Sequence, residues 1–142
     1  MVKQISVFVE NKTGRLAEVT KALGDNNIDI SALSIADTTD FGILRLILNK
    51  PDEAEIILRD NGFTVSSTEV IAIAIPDSPG SLSKALKALD NSSIGIEYMY
   101  AFVGKTTDEA LVILRTENPE SAVELLEHSF IRVLKDDEVY SL

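Results

Sequence analysis

Apolar and polar residues alternate along Ile5-Ser6-Val7-Phe8-Val9, the two-residue period of a strand with one buried face. A polar stretch, Glu10 to Gly14, follows. Leu16, Val19, Thr20 and Leu23 then recur at i, i+3, i+4 and i+7, which is one face of a helix. Gly24-Asp25-Asn26-Asn27 stops that helix. Ile28 to Ile35 reads as a second strand and Gly42 to Leu48 as a third, with Asp37-Thr38-Thr39-Asp40 as the hairpin loop between them. Pro51 suits the first position of a second helix, where its missing N–H costs nothing. That helix runs to Asn61-Gly62, and Phe63-Thr64-Val65 opens a fourth strand.

The same order then returns. Val70 to Ile75 is a strand, Pro76 to Gly80 a turn, and Leu82, Ala85, Leu86 and Leu89 mark a helix face. Strands follow at Ile94 to Phe102 and Ala110 to Arg115, a helix starts at Asn118-Pro119, and Phe130 to Leu134 is the last main strand. Glu138 to Leu142 reads as an extra edge strand, and Asp136-Asp137-Glu138 as a solvated turn. Aligning Gly14 with Gly80 lays Gly14-x-Leu16 over Gly80-x-Leu82, Ile28 and Ile30 over Ile94 and Ile96, and Ile5, Val7 and Val9 over Ile71, Ile73 and Ile75. Two residues of insertion then bring Pro51 over Pro119 and Ala54 over Ala122. Chance likeness of two amphipathic helices does not extend to flanking strands and a second proline, so the chain is read as an internal duplication. The expected fold is α+β: two ferredoxin-like βαββαβ domains, 1–67 and 68–142, each an antiparallel sheet with both helices on one face. Ser66-Ser67-Thr68 is the short link.

Composition narrows the chemistry. The chain of 142 residues has no cysteine and one histidine, which removes thiol nucleophiles, zinc fingers, iron–sulfur clusters and histidine triads. No loop has Ca²⁺ spacing, and no cofactor or metal is expected. Thirteen Lys and Arg against 23 Asp and Glu leave a net charge of −10, which disfavours nucleic acid and anionic membranes as partners. No apolar run is long enough to span a bilayer, and the first residues lack the apolar core of a signal peptide, so a cytoplasmic protein is expected.

The feature that carries chemistry is the turn before the first helix of each copy. One turn reads Asn11-x-x-Gly14-x-Leu16 and the other Asp77-x-Pro79-Gly80-x-Leu82. The opening amides of a helix have no internal partners and sit at the positive end of its dipole, which suits a carboxylate. Asn11 or Asp77 could accept a hydrogen bond from an ammonium group, so each turn has something for both ends of an α-amino acid. The plainer reading is that these residues only cap helices.

Two βαββαβ copies, each with an Asp/Asn-x-x-Gly-x-Leu turn and an Ile-x-Ile second strand, resemble a tandem pair of ACT domains over nearly the whole chain. Asp77-Ser78-Pro79-Gly80-Ser81-Leu82 followed by Ile94-Gly95-Ile96 is the closer copy; the first has Asn11 for Asp and Thr13 for Pro. The resemblance implies a regulatory module that binds a small effector, most often an amino acid, where two domains meet. Carried over by position, it implies one site from Asn11, Thr13, Gly14, Arg15 and Leu16 with Ile94, Gly95 and Ile96. The mirror site would use Asp77, Ser78, Gly80, Ser81 and Leu82 with Ile28, Asp29 and Ile30. With no room for a catalytic domain, it implies a stand-alone sensor acting on an enzyme or other regulated protein, and leaves open whether two chains pair.

Three other readings are weighed. A small enzyme of the acylphosphatase type shares the element order but needs a phosphate-cradling loop, which Arg15 alone does not make. An RNA-binding module needs a basic face and exposed aromatics on its central strands. A scaffold or oligomerisation domain would use the turns only as caps. Tyr98, Tyr100 and Phe102 alternate on one strand and read either as packing residues or as a shelf for the pocket. His128 reads as a surface residue favoured by a helix C-terminus.

Overall fold

The computed structural model describes residues 1–10, 12–37, 40–104 and 108–142. The chain divides into two units, Lys3–Thr68 with Tyr140–Leu142, and Glu69–Val139 with Met1–Val2. The first copy gives β1 (Val2–Glu10), α1 (Arg15–Asp25), β2 (Ile30–Asp37), β3 (Phe41–Leu48) and α2 (Pro51–Asp60). Then comes β4 (Thr64–Pro76), whose residues are divided between the units. The second copy continues with α3 (Ser81–Asp90), β5 (Ile96–Ala101), β6 (Glu109–Thr116), α4 (Pro119–His128), β7 (Arg132–Val133) and α5 (Asp136–Tyr140).

In the first-copy unit the antiparallel strands lie in the order β2-β3-β1, with Ile5 and Leu33 both opposite Leu46. The period-two pattern sends Ile5, Val7 and Val9 to one face, where they meet Val19 and Leu23 of α1, Ala54 and Leu58 of α2, and Leu44, Leu46 and Leu48 of β3. The second-copy unit repeats the plan with the order β7-β4-β6-β5. Ile71, Ile73 and Ile75 pack with Ala85 and Leu89 of α3, Ala122 and Leu126 of α4, and Val112 and Leu114 of β6. Each large apolar side chain so buried contributes roughly 1.5–3 kcal/mol. The result is the expected α+β, ferredoxin-like arrangement, with both helices on one sheet face in each unit.

Local bonds repeat as well. Ile28 N donates to Leu23 O (3.0 Å) and Ile94 N to Leu89 O (3.1 Å), after Asn27 and Ser93 that both have φ 57°. These left-handed residues turn the chain out of the helix, so β2 and β5 start at Ile30 and Ile96 and not at Ile28 and Ile94.

Three further expectations are corrected. The fourth and fifth strands form one continuous 13-residue strand, β4, because Ser66-Ser67-Thr68 contains nothing that interrupts an extended backbone. The last main strand shrinks to Arg132–Val133, because Phe130 (φ 60°) occupies the left-handed turn that ends α4. Glu138 to Leu142 is not an edge strand. Asp136 to Tyr140 form a short helix whose acidic first turn suits a helix N-terminus, and Glu138 Oε1 accepts from Lys135 N at 3.1 Å. Thr38 and Thr39 of the expected hairpin loop lie outside the described residues; the flanking Asp37 and Gly42 pair across β2 and β3.

Candidate functional site

The two β–α turns have the same backbone 66 residues apart. In the first, Lys12 N donates to Glu10 O (2.7 Å), Arg15 N to Lys12 O (3.3 Å) and Glu18 N to Gly14 O (3.0 Å). In the second, Ser78 N donates to Pro76 O (2.9 Å), Ser81 N to Ser78 O (3.2 Å) and Lys84 N to Gly80 O (3.1 Å). Gly14 (φ 92°) and Gly80 (φ 88°) are the N-caps, both left-handed, which is the reason for glycine at each. A Cβ at either position would meet nothing within 4 Å, so the space outside both turns is open.

Neither N-cap makes a side-chain cap hydrogen bond. Asn118 at the start of α4 does cap, accepting from Ser121 N at 3.5 Å. Both N-caps are glycine, which has no side chain to cap with. The amides of Arg15 and Ser81 turn back to Lys12 O and Ser78 O, and those that follow them lie at the positive ends of the helices.

The first turn borders a cavity of about 430 Å³. Lys12, Thr13 and Leu16 line it from the turn, Val9 and Glu10 from β1, Ile35 and Asp37 from β2, and Gly42 and Leu44 from β3. Glu10 is paired with Lys12 Nζ at 2.8 Å, and the hydrogen bond from Lys12 holds its carboxyl below the usual range, so it is ionised at neutral pH. The cavity therefore has an apolar lining beside a helix start, with two carboxylates, of which Glu10 is paired with the Lys12 ammonium.

The remaining site residues of the sequence reading are placed as follows. Asn11 lies outside the described residues. Arg15 is not a free carboxylate clamp: its guanidinium lies 4.5 Å over the Phe63 ring, and Nη1 is paired with Glu18 at 2.7 Å. Its Nε is buried without a hydrogen-bond partner among the described residues. Ile28, Ile30, Ile94 and Ile96 serve the cores. Between them, Asp29 is exposed, with its N–H donating to Asn49 Oδ1 at 2.9 Å, and Gly95 O accepts from Glu117 N at 3.3 Å. A Cβ on Gly95 would stand 2.9 Å from a Glu117 carboxylate oxygen. Asp77 is exposed and its N–H donates to Asp108 O at 3.0 Å. Ser78 and Ser81 share a hydroxyl hydrogen bond of 3.0 Å and line a different cavity, beside α3. Leu82 packs against the second core, whereas its counterpart Leu16 is exposed at the cavity.

Sequence reasoning missed Ile35, Asp37 and Leu44, because a turn motif does not say which strand ends stand beside it. Asn49 and Glu117 were recoverable, since the spacing that aligns Pro51 with Pro119 also aligns them. Tyr98 and Tyr100 stack with ring centroids 6.5 Å apart. Their partners Arg115 and Ile113 alternate with the core residues Val112 and Leu114, which puts the two rings on the helix-free face, away from α3 and α4. His128 is exposed at the end of α4, with Nδ1 2.7 Å from Glu124 O. Among the described residues no group of three or more His, Cys, Asp or Glu could hold a metal ion, and no helix is long and apolar enough to cross a membrane.

The family profile described as ACT domain pair matches residues 1–142, and the chain belongs to that family. The crystal structure of protein BT0572 from Bacteroides thetaiotaomicron is similar at 42% identity, covering 99% of this chain and 96% of that one, with a TM-score of 0.93. The regulatory subunit of aspartate kinase from Thermus thermophilus, in its ligand-free form, shares the fold at 17% identity, 90% and 92% coverage and a TM-score of 0.66. The corresponding subunit from Thermus flavus does so at 18% identity, 90% and 92% coverage and a TM-score of 0.57. No curated protein matches the chain.

Proposed function

We propose that this ACT domain pair is a regulatory module whose effector is an amino acid with an apolar side chain, bound at the β1–α1 turn of the first-copy unit. The observation that carries the reading is the cavity of about 430 Å³ set against a helix start whose N-cap is a left-handed glycine. That volume lies in the ordinary range of small-molecule sites. The effector's carboxylate takes the open amides behind Gly14, its ammonium group faces Glu10 and Asp37, and its side chain lies over Val9, Leu16, Ile35 and Leu44.

No reaction is assigned to the chain. Its action is by linkage: the effector favours one conformation, and a regulated protein binds that conformation differently from the free one. An enzyme is the proposed partner. That aspartate kinase regulatory subunits are built on this fold supports the choice by analogy.

A thermal-shift screen of the standard amino acids tests the proposal. A ligand at a hundred times its dissociation constant adds about 2.7 kcal/mol of stability, which raises the melting temperature by several degrees. One or a few apolar amino acids are expected to do this and acidic ones are not. A flat response across the whole set overturns the reading.

A further inference from the structure

We infer that the second-copy unit carries a separate ligand site between α3, the end of β4 and the turn that follows α4, suited to a small carboxylate with an apolar or aromatic body. A cavity of about 510 Å³ lies there. Lys84, Lys87, Asn91, Ser129 and the hydroxyls of Ser78 and Ser81 supply its polar lining, Ile75 and Ile131 part of its apolar wall, and no Asp or Glu lines it. Neither lysine forms an ion pair with a described residue, although seven other Lys and Arg side chains do. In a chain of net charge −10, two unpaired ammonium groups beside a cavity without carboxylates are a local reversal of sign.

The second observation is Phe130, which also lines this cavity. It is 98% exposed, and its backbone is left-handed at φ 60°. The first copy has Gly62 at the matching place, and the closing bonds are the same: Gly62 N to Arg59 O and Phe130 N to Glu127 O, both 3.0 Å. Glycine is the residue this turn favours, and a phenyl ring there is strained. The ring buries almost nothing in the free unit, so nothing there offsets the strain. A ligand body stacked on it would. The carboxylate meets Lys84 and Lys87, and the apolar body meets Phe130 and Ile131. The effector reading at the Gly14 turn stands or falls independently of this site.

Nuclear magnetic resonance titration of the full chain with phenylpropionate, and with phenylpropionamide as neutral control, tests the site. Saturable shifts are expected at Ser81, Lys84, Lys87, Phe130 and Ile131, with the amide about tenfold weaker. Replacing both lysines, Lys84→Gln and Lys87→Gln, should reduce the carboxylate to the affinity of the amide. Phe130→Gly supplies the residue of the first copy, so it keeps the fold, and it should weaken both probes. The inference is overturned by equal affinity for acid and amide, by shifts centred on Gly14, by no saturation in the millimolar range, or by unchanged affinity in Phe130→Gly.

Discussion

At the scale of single residues, a duplicated chain carries its own controls. Gly62 and Phe130 end equivalent helices in the same left-handed turn, with φ 86° and 60°. A left-handed backbone costs a residue with a Cβ about 1–2 kcal/mol, and glycine gives back a part of this in unfolded-state entropy. Phe130→Gly should therefore raise stability by about 0.5–1 kcal/mol, and Gly62→Ala should lower it by about 1 kcal/mol. Urea unfolding of the two variants checks both signs; a Phe130→Gly variant less stable than the parent would mean that the ring is packed in the free protein. A charged residue gives a pH-dependent case. The Glu138 carboxyl is held below its usual value first by the Lys135 N–H and then by Arg132, whose Nη2 is 2.6 Å away. Its folded pKa is below its unfolded one, so its contribution is present above the unfolded value of about 4.3 and is lost as pH falls through the folded value. Glu138→Gln should then be destabilising at neutral pH, and the gap to the parent should close in acid. Melting curves from neutral to strongly acidic buffer show this directly, and a gap that stays constant would remove Glu138 from the account.

At the scale of elements, α2 and α4 begin alike, with Pro51 and Pro119 in the first turn. Their N-caps have nearly the same backbone: Lys50 at φ −134°, ψ 69° and Asn118 at φ −133°, ψ 83°. Only Asn118 caps with its side chain. Transplanting it, Lys50→Asn, should stabilise the first-copy unit by about 0.5–1 kcal/mol, measured by denaturant unfolding with an unchanged slope. The helices and most strands were legible because their periods are long and regular, as in Leu16 to Leu23 or Ile5 to Val9. The errors fell where a signal was short or ambiguous. Ser66-Ser67-Thr68 reads as a short link because one copy ends and the next begins there, yet nothing in it interrupts a strand. Glu138-Val139-Tyr140 reads as a strand because it echoes Glu69-Val70-Ile71 after the first copy, yet the acidic residues at its start favour a helix. At the turns, the left-handed glycines could be read from the motif. The role of Arg15 could not, because the motif does not reveal that Phe63 lies beneath its guanidinium.

At the scale of the whole molecule, duplication makes two equal turns, and the surroundings make them unequal. The Gly14 turn borders a cavity with Glu10, Asp37 and Lys12; the residues of the Gly80 turn border one with Lys84 and Lys87 and no carboxylate. A zwitterion needs a negative group for its ammonium end; Glu10 and Asp37 line the cavity at the first turn, whereas Asp77 of the second turn does not line the cavity beside α3. One equivalent of amino acid per chain follows, where an unmodified duplication would give two. Matched variants separate the two turns. Gly14→Leu and Gly80→Leu impose the same strain, about 1–2 kcal/mol, at positions with φ 92° and 88° and open space for a Cβ. Both unliganded proteins should lose a similar number of degrees of melting temperature. The ligand-induced rise should vanish only in Gly14→Leu, where the new side chain projects outside the turn that borders the cavity. Calorimetric titration of Gly80→Leu should still give one equivalent with the affinity of the parent. If the rise is lost in Gly80→Leu and kept in Gly14→Leu, the effector belongs to the second turn, and the carboxylates of the first are not what holds its ammonium group.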